Sequence, residues 1–304
     1  MTARAAPIAA PRATGGPEVG AVQWRTVDWR RSVNEGLTRV TGYEIRRARR
    51  APDSRRQGSG DRLVTAPAFV VCTLRSGSTL LRVLLNSHSQ IHAPHELHLR
   101  YVSVQLNKWS TRSMRELGLG GAGVEYLLWD RILHRQLTAS GKPVIVDKTP
   151  NNVFIVDRLR ECWPDSRFIF LLRHPAAIVR SRRALRPDAT DDEANVDLIR
   201  RYCEALQRAR ETYDGVTVRY EDLASAPARE LQRVCAFLRV PWEPAMLDYG
   251  THEHGRFRAG LGDWADKIKT GRVQPPEPPP SEIPPPLRKI SAAWGYASAE
   301  TPMT

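Results

Sequence analysis

Cysteine is scarce in this 304-residue chain, and no apolar run approaches the length of a membrane span. The four cysteines show neither CxxC nor HxxxH spacing, and each lies in an apolar pattern: Cys72, Cys162, Cys203 and Cys235. We therefore expect buried free thiols rather than disulfides or a zinc site. A bilayer-spanning helix needs about 18 or more consecutive apolar residues, so none is expected.

A secretory signal is also lacking. Residues 1–16 are interrupted by proline and contain no apolar core of the kind that a signal peptide requires. Together with the expected free thiols, this favours a protein of a reducing compartment, the cytoplasm.

Lysine is rare among the basic residues: 6 of the 46 are lysine, and with 33 acids the net charge is +13. Residues 1–62 alone contain 13 arginines and 6 acids. We interpret them as a partly disordered, Arg-rich extension with a solvated basic face, and a docking site for an acidic partner is the alternative. Because much of the charge lies outside the presumed folded body, nucleic-acid binding is not expected.

Residues 63–304 alternate apolar, β-branched runs with helical patterns. The runs lie at 68–72, 144–146, 168–172 and 216–220, and the helical periods at 80–85, 192–213 and 227–238. Nearly continuous apolar strands are typical of a parallel sheet covered on both faces. The sequence therefore predicts an α/β domain with a doubly wound parallel sheet.

Prolines mark two further features. Thr149 and Pro150 suit the N-cap and first position of a helix that ends near Cys162. Eight prolines in residues 275–286 predict an extended, polyproline-like connector, followed by a last helix near 287–294.

An anion-binding loop is predicted after the first strand, in Thr73-Leu74-Arg75-Ser76-Gly77-Ser78-Thr79-Leu80. Backbone amides between a strand and a helix, together with the helix dipole, attract a phosphate group. Gly77 allows close approach of the backbone, Ser78 and Thr79 add hydroxyls, and Arg75 adds charge. The Gly-Lys pair of a Walker A loop is missing, and no Walker-B acid is evident.

A second phosphate signal follows the strand at 168–172. Arg173 ends this strand, and Ser181 lies eight residues further on, in a predicted helix. A guanidinium fork and a hydroxyl at this spacing can converge on one phosphate. The neighbouring arginines Arg180, Arg182 and Arg183 are expected to form a solvated helix face.

The two motifs resemble those of the sulfotransferases that use 3′-phosphoadenylyl sulfate (PAPS). Arg75 to Thr79 match the loop that binds the 5′-phosphosulfate in that family, and Arg173 with Ser181 match its 3′-phosphate clasp. The resemblance covers about residues 66–272 and implies a P-loop-like, three-layer fold, PAPS as co-substrate and no required metal. Leu74 replaces a usual proline. His174 replaces a usual aspartate, which leaves the following helix without its acidic cap.

Catalytic residues are inferred from the same resemblance. A base is needed to accept the proton of the acceptor hydroxyl. Glu96, in Pro94-His95-Glu96-Leu97, resembles the base of the tyrosylprotein branch and of bacterial enzymes with a Pro-x-Glu-Leu motif. Many cytosolic members use a histidine, so His92, His95 and His98 are alternatives. Lys148 resembles the lysine that neutralises the transferred sulfonate, and a structural ion pair with Asp147 is the alternative.

Two later segments complete the resemblance. Tyr220-Glu221-Asp222 resembles a family segment whose tyrosine contacts the adenosine, and the two acids are expected to cap the next helix. Arg258 begins a loop that resembles the family's loop over the nucleotide, but it is one residue shorter and has Ala259 in place of lysine. Lys267, Lys269 and Arg272 are alternative cations there.

The sequence thus predicts a cytoplasmic, PAPS-dependent sulfotransferase that acts on a hydroxyl of a carbohydrate, a peptide or a secondary metabolite. A phosphate-loop kinase or NTPase, and a non-enzymatic binder of polyanions, are the alternatives. The predicted catalytic residues are Glu96, Lys148 and Arg75, and the predicted nucleotide-binding residues are Arg75, Ser76, Gly77, Ser78, Thr79, Leu80, Arg173, Ser181, Tyr220 and Arg258.

Overall fold

The computed structural model of the chain describes residues 62–185, 192–255 and 266–296. The Arg-rich extension, except for its last residue, and Arg258 lie outside these ranges. The strands are β1 (Ala68–Cys72), β2 (Ile91–His92), β3 (Val144–Lys148), β4 (Arg167–Leu172) and β5 (Gly215–Arg219). The helices are α1 (Ser78–Asn86), α2 (Lys108–Glu116), α3 (Gly123–Ser140), α4 (Val156–Cys162), α5 (Pro175–Arg183), α6 (Asp192–Thr212), α7 (Tyr220–Ser225), α8 (Pro227–Leu238), α9 (Asp266–Lys269) and α10 (Arg288–Ala293).

The five strands form one parallel sheet in the order β2-β3-β1-β4-β5. All five residues of the central strand β1 are buried, as the apolar run predicts. In the register of the sheet, Val70 of β1 lies opposite Lys148 of β3 and Ile169 of β4. The carboxyl ends of three strands are therefore neighbours, which brings the loops that follow them to one edge.

Each face of the sheet is covered by helices. On one face, Val70, Ile169 and Val218 belong to a core cluster that includes Leu84 of α1 and Leu231 of α8. On the other face, the Phe69 ring lies 5.5 Å from that of Trp163, at the end of α4. The three-layer α/β prediction is therefore confirmed.

The prediction of a single helix from Pro150 to about Cys162 is wrong. A 3₁₀ turn covers Pro150–Phe154, and α4 begins only at Val156. The Thr149 side chain caps neither element, because its hydroxyl accepts hydrogen bonds from backbone amides of another loop.

The segment named here the proline-rich strap, residues 275–286, contains neither α-helix nor strand, and it ends in a 3₁₀ turn at Pro285–Leu287. Helix α10 follows it, with Leu287 and Trp294 buried at its two ends. The predicted last helix is therefore present.

All four cysteines are buried and free, as expected. Among the helices in the described ranges, none has the length and apolarity that crossing a membrane requires.

Candidate functional site

The predicted site residues follow the carboxyl ends of β1, β3, β4 and β5. Arg75 follows β1, Lys148 ends β3, Arg173 follows β4 and Tyr220 follows β5. Open α/β sheets bind their ligands at the carboxyl ends of the strands, near the strand at which the strand order reverses. Here that strand is β1, because β3 and β4 flank it.

The loop after β1 is shaped by two left-handed residues. Arg75 has φ of 60° and Gly77 has φ of 82°. A β-carbon on Gly77 would lie 2.2 Å from Cδ2 of Tyr220, so the tyrosine ring rests directly on the glycine backbone. The Ser76 hydroxyl donates to the Thr73 carbonyl at 2.8 Å and closes the turn from within. Only glycine combines this backbone conformation with so close a ring.

Helix α1 starts immediately after this loop. Its N-cap is Gly77, which has no side chain to cap the first-turn amides. Ser78 and Thr79 are buried, and the Leu80 side chain lies in the core, so Leu80 can serve an anion only through its amide. Amides at a helix N-terminus are suited to a phosphate or sulfate group.

The two predicted phosphate motifs meet in space. Arg75 Nε donates to Ser181 Oγ at 3.2 Å, although the residues are 106 positions apart. Arg173 Nη1 donates to the Arg75 carbonyl at 2.7 Å. Within the described ranges, Arg173 Nε is buried and has no hydrogen-bond partner. A buried guanidinium nitrogen in this state suits an anionic ligand.

The ring of Tyr220 packs against the guanidinium of Arg173. The Arg173 guanidinium carbon lies 4.4 Å from the centroid of the Tyr220 ring, a cation–π distance. Burial lowers the pKa of Arg173, and the neighbouring Tyr220 and Glu221 act in the opposite direction. The ring therefore fixes the guanidinium in a plane beside the loop.

Glu96 and Lys148 form a nearly buried ion pair. Lys148 Nζ donates to Glu96 Oε1 at 2.5 Å, and only 1% of the lysine side chain and 11% of the glutamate side chain are exposed. The second carboxylate oxygen lies 3.3 Å from His98 Nε2. Lys148 therefore pairs with Glu96 and not with Asp147. His95 is exposed.

Asp147 and Thr149 anchor the loop that contains Glu96. The Thr149 hydroxyl donates to Asp147 Oδ1 at 3.1 Å and accepts from the amides of Leu97 and His98 at 3.1 and 3.3 Å. Burial raises the pKa of Asp147, and hydrogen bonds from Asn152 and Thr149 oppose this effect. This network fixes the backbone directly after Glu96.

Arg82 was missed by the sequence interpretation. It lies on α1 with only 3% of the residue exposed, and its guanidinium donates to the Ala93 carbonyl at 3.2 Å. Burial lowers its pKa to about 10, and the Glu96 charge acts against this shift. The charge of a second buried cation therefore acts on Glu96. An arginine inside the apolar run Leu80-Leu81-Arg82-Val83-Leu84 is the signal that could have revealed it.

Cys72, the last residue of β1, connects the ion pair to the loop. Burial raises the pKa of its thiol to about 11, while the Lys148 charge and hydrogen bonds with Ser76 and Ser78 act to lower it. The lysine charge and the two loop serines therefore act on the same thiol, and the register of Lys148 opposite Val70 places the ion pair near the loop.

Glu221, the first of the two acids after β5, directs its carboxylate to other elements instead of capping the helix that follows the strand, contrary to the prediction. Glu221 Oε1 accepts from the amide of His174 at 2.9 Å, at the N-terminus of α5. Its other oxygen accepts from the Tyr296 hydroxyl at 2.7 Å. A carboxylate from another strand end thus supplies the acidic cap that a histidine at position 174 cannot provide.

Comparison with known proteins identifies the fold family. A model described as "Sulfotransferase family" matches residues 67–244, more than half of the chain. The chain belongs to the sulfotransferase family. The match contains every described member of the predicted site, and Arg258 lies beyond it as well as outside the described residues.

Two relatives extend this result. Nodulation protein NoeE of Sinorhizobium fredii is 29% identical over 233 residues, which cover 63% of this chain and 55% of that protein. Protein-tyrosine sulfotransferase 1 of Danio rerio is 24% identical over 195 residues, covering 60% of this chain and 55% of that protein. This sulfotransferase-family chain therefore spans little more than half the length of each relative.

Among solved structures, the sulfotransferase domain of the Synechococcus PCC 7002 olefin synthase superposes with a TM-score of 0.58. The match covers 76% of this chain and 96% of that domain at 23% identity. The likeness at this identity concerns the fold, and it agrees with the parallel sheet described above.

Proposed function

We propose that this chain is a sulfotransferase that uses PAPS as donor and an alcohol or phenol hydroxyl as acceptor. The observation on which the proposal depends is the joining of Arg75, Ser181 and Arg173 at the edge of the sheet where Glu96 meets Lys148. A nucleotide with a 3′- and a 5′-phosphate on one ribose needs two neighbouring anion sites, and a transfer to a hydroxyl needs a base beside one of them.

The residues at this edge suit the two ends of such a nucleotide. The amides of the loop and the first turn of α1, with Arg75 and the hydroxyls of Ser78 and Thr79, would hold the 5′-phosphosulfate. Arg173 and Ser181 would hold the 3′-phosphate, which the unpartnered Arg173 Nε among the described residues supports. Tyr220 would contact the adenosine. Arg258 keeps the status of a prediction.

The proposed chemistry divides between the ion pair and the loop. Bound PAPS supplies the sulfuryl group. Glu96 accepts the proton of the acceptor hydroxyl. Lys148 and His98 lie at its two oxygens and orient the carboxylate. Lys148 supplies positive charge next to the loop, and Arg75 with the loop amides stabilises the negative charge that develops on the leaving phosphate. Since these groups are fixed before reaction, little reorganisation is needed.

The acceptor class rests on the base and on the relatives. A carboxylate base suits a hydroxyl, and the name of the Danio rerio relative specifies protein tyrosine. We propose that segment 97–140, which follows Glu96 in the chain, helps to form the pocket for the acceptor. The four buried free thiols support a reducing, cytoplasmic location.

Calorimetric titration of the full chain tests the donor site. We expect adenosine 3′,5′-bisphosphate to bind more tightly than 5′-AMP and ATP. Arg173→Ala should lower the ratio of bisphosphate affinity to 5′-AMP affinity by about tenfold or more. Ser181→Ala is a milder variant with the same direction of change. Arg183→Ala, on the exposed end of α5, is the matched control.

The competing functions give different results. A magnesium-dependent preference for ATP would support the phosphate-loop kinase alternative. Equal binding of all three nucleotides in wild type and in Arg173→Ala would contradict the proposed 3′-phosphate site.

A further inference from the structure

The proline-rich strap places an acid against two cations beside α5. Glu277 Oε2 lies 3.3 Å from Arg180 Nη2, and Glu277 Oε1 accepts a hydrogen bond from Lys267 Nζ. Arg180 Nη2 also donates to the Pro278 carbonyl at 2.9 Å. One carboxylate thus bridges a cation of α5 and a cation of α9, and the strap has a second attachment to Arg180.

These cations border the proposed 3′-phosphate clasp. Arg180 immediately precedes Ser181 on α5. Arg173 is close enough for its charge to act on Glu277, and Glu277 acts on Arg173 in turn. The Lys267 ammonium, and after it Arg180 and Arg173, hold the pKa of Glu277 below its usual value. Arg180 and Lys267, from two separate helices, therefore contact one carboxylate, and the charge of Arg173 acts on it without a direct contact.

The Glu277 carboxylate makes contacts of a kind that a phosphate also makes with basic side chains. A carboxylate and a phosphate both accept several charge-assisted hydrogen bonds from arginine and lysine. Glu277, Arg180 and Lys267 are each about half exposed, and ion pairs at such positions are weak and easily exchanged. A dianionic phosphate offers more charge and more acceptor oxygens than a single carboxylate.

We infer that Arg180 and Lys267 are further ligands of the 3′-phosphate and that Glu277 is the intramolecular anion that competes with it for them. This inference rests on the proposed function, because it specifies the nucleotide site of that same reaction. It replaces the interpretation of Arg180 as part of a solvated helix face. Its consequence is that Glu277 weakens binding of nucleotides with a 3′-phosphate and leaves those without one unaffected.

The test compares two strap glutamates. Binding of adenosine 3′,5′-bisphosphate and of 5′-AMP is measured by calorimetry for the full chain and for Glu277→Gln and Glu282→Gln. Glu282 is exposed in the same strap, so both variants change the net charge equally. We expect Glu277→Gln to tighten the bisphosphate about two- to fivefold, with 5′-AMP unchanged and Glu282→Gln without effect on either. The Pro278 carbonyl should keep the strap attached to Arg180.

A third variant identifies the cation involved. Arg180→Gln is expected to weaken the bisphosphate several-fold and to leave 5′-AMP unchanged. When Glu277→Gln is introduced into the Arg180→Gln variant, it should leave the affinity for the bisphosphate almost unchanged, because the two residues act through the same contact.

The outcomes separate this inference from the proposed function. If wild type prefers the bisphosphate but Glu277→Gln changes nothing, the inference is wrong and the proposed function stands. Equal tightening in Glu277→Gln and Glu282→Gln, or equal tightening of 5′-AMP, would reduce the effect to net charge and overturn it as well. If wild type shows no preference for the bisphosphate, the proposed function fails and the inference fails with it.

Discussion

Lys148 Nζ donates to Glu96 Oε1 at 2.5 Å in a pair that is almost entirely buried. The lysine ends a strand next to the centre of the sheet, and the glutamate follows the short edge strand β2. The two residues are 52 positions apart, so their contact depends on the parallel sheet and on the Thr149 hydroxyl that anchors the intervening loop. The candidate base is thereby fixed beside the anion-binding loop.

Replacing the candidate base should separate turnover from binding. We expect Glu96→Gln to lower PAPS-dependent formation of adenosine 3′,5′-bisphosphate about a hundredfold or more, because the acceptor proton then has no carboxylate to receive it. Calorimetric affinity for the bisphosphate should change less than about twofold. The assay uses a panel of phenols and alcohols as acceptors.

The control for this variant is Glu211→Gln at the exposed end of α6, outside segment 97–140, which should retain turnover. Undiminished turnover in Glu96→Gln would exclude the glutamate as base. The role would then pass to a histidine, and His98, at 3.3 Å from Glu96, would be the next residue to replace.

Removing one partner of the buried pair should destabilise the fold more than removing both. We expect Lys148→Met to lower the free energy of unfolding by about 3 kcal/mol, because it leaves a carboxylate without its closest cation. This loss is at the low end of what breaking a buried ion pair costs, because the Arg82 charge still acts on Glu96 and His98 still lies 3.3 Å from it. Urea unfolding at neutral pH measures it.

The double variant Lys148→Met/Glu96→Gln provides the comparison. It should regain about half or more of the lost stability, since no charge then lies unpaired in the interior. Additive losses in the double variant would mean that the two side chains do not interact energetically.

The sequence was sufficient to identify the candidate site residues that lie at the ends of strands. Arg75, Lys148, Arg173 and Tyr220 each follow an apolar run, and apolar runs in a parallel sheet end at a common edge. The sequence pattern therefore contains the information that places these four residues at one edge. In the structure Arg75 contacts Ser181, so the two motifs lie side by side.

Contacts between distant segments could not be predicted. Glu221 caps a helix that begins 46 residues earlier, and Thr149 binds a loop rather than its own helix. In each case the polar side chain has a local partner available, and the tertiary structure supplies a better one. Arg82 was hidden by its apolar neighbours, and Glu277 by the prolines that made its segment resemble a plain connector.

The glycine at the start of α1 should be far less replaceable than a glycine of similar backbone conformation that has open space around it. Gly77→Ala places a β-carbon 2.2 Å from the Tyr220 ring and also requires an alanine at φ of 82°. We expect it to lower the unfolding free energy by about 2 kcal/mol or more and to weaken bisphosphate binding.

Gly141→Ala is the matched control, because its φ is 66° but nothing lies within 4 Å of the added carbon. It should cost only about 1 kcal/mol, the backbone part of the penalty, without altering nucleotide affinity. Equal losses in the two variants would show that the Tyr220 ring moves away freely.

The buried histidine after β4 should make the fold sensitive to mild acid. Only 5% of His174 is exposed, and burial lowers its pKa below the ordinary 6.5, while the Glu221 charge acts to raise it. The unfolded chain therefore binds a proton more readily than the folded chain, so the stability present above pH 6.5 is lost as the pH falls through that value.

Urea unfolding at pH 7.5, 6.5 and 5.5 measures the loss in wild type and in His174→Gln. His92 and His254, whose pKa values burial also lowers, are present in both chains and cancel in the difference. Wild type should lose more stability than the variant over this interval, and parallel declines would mean that His174 accepts its proton in the folded state as easily as in the unfolded one.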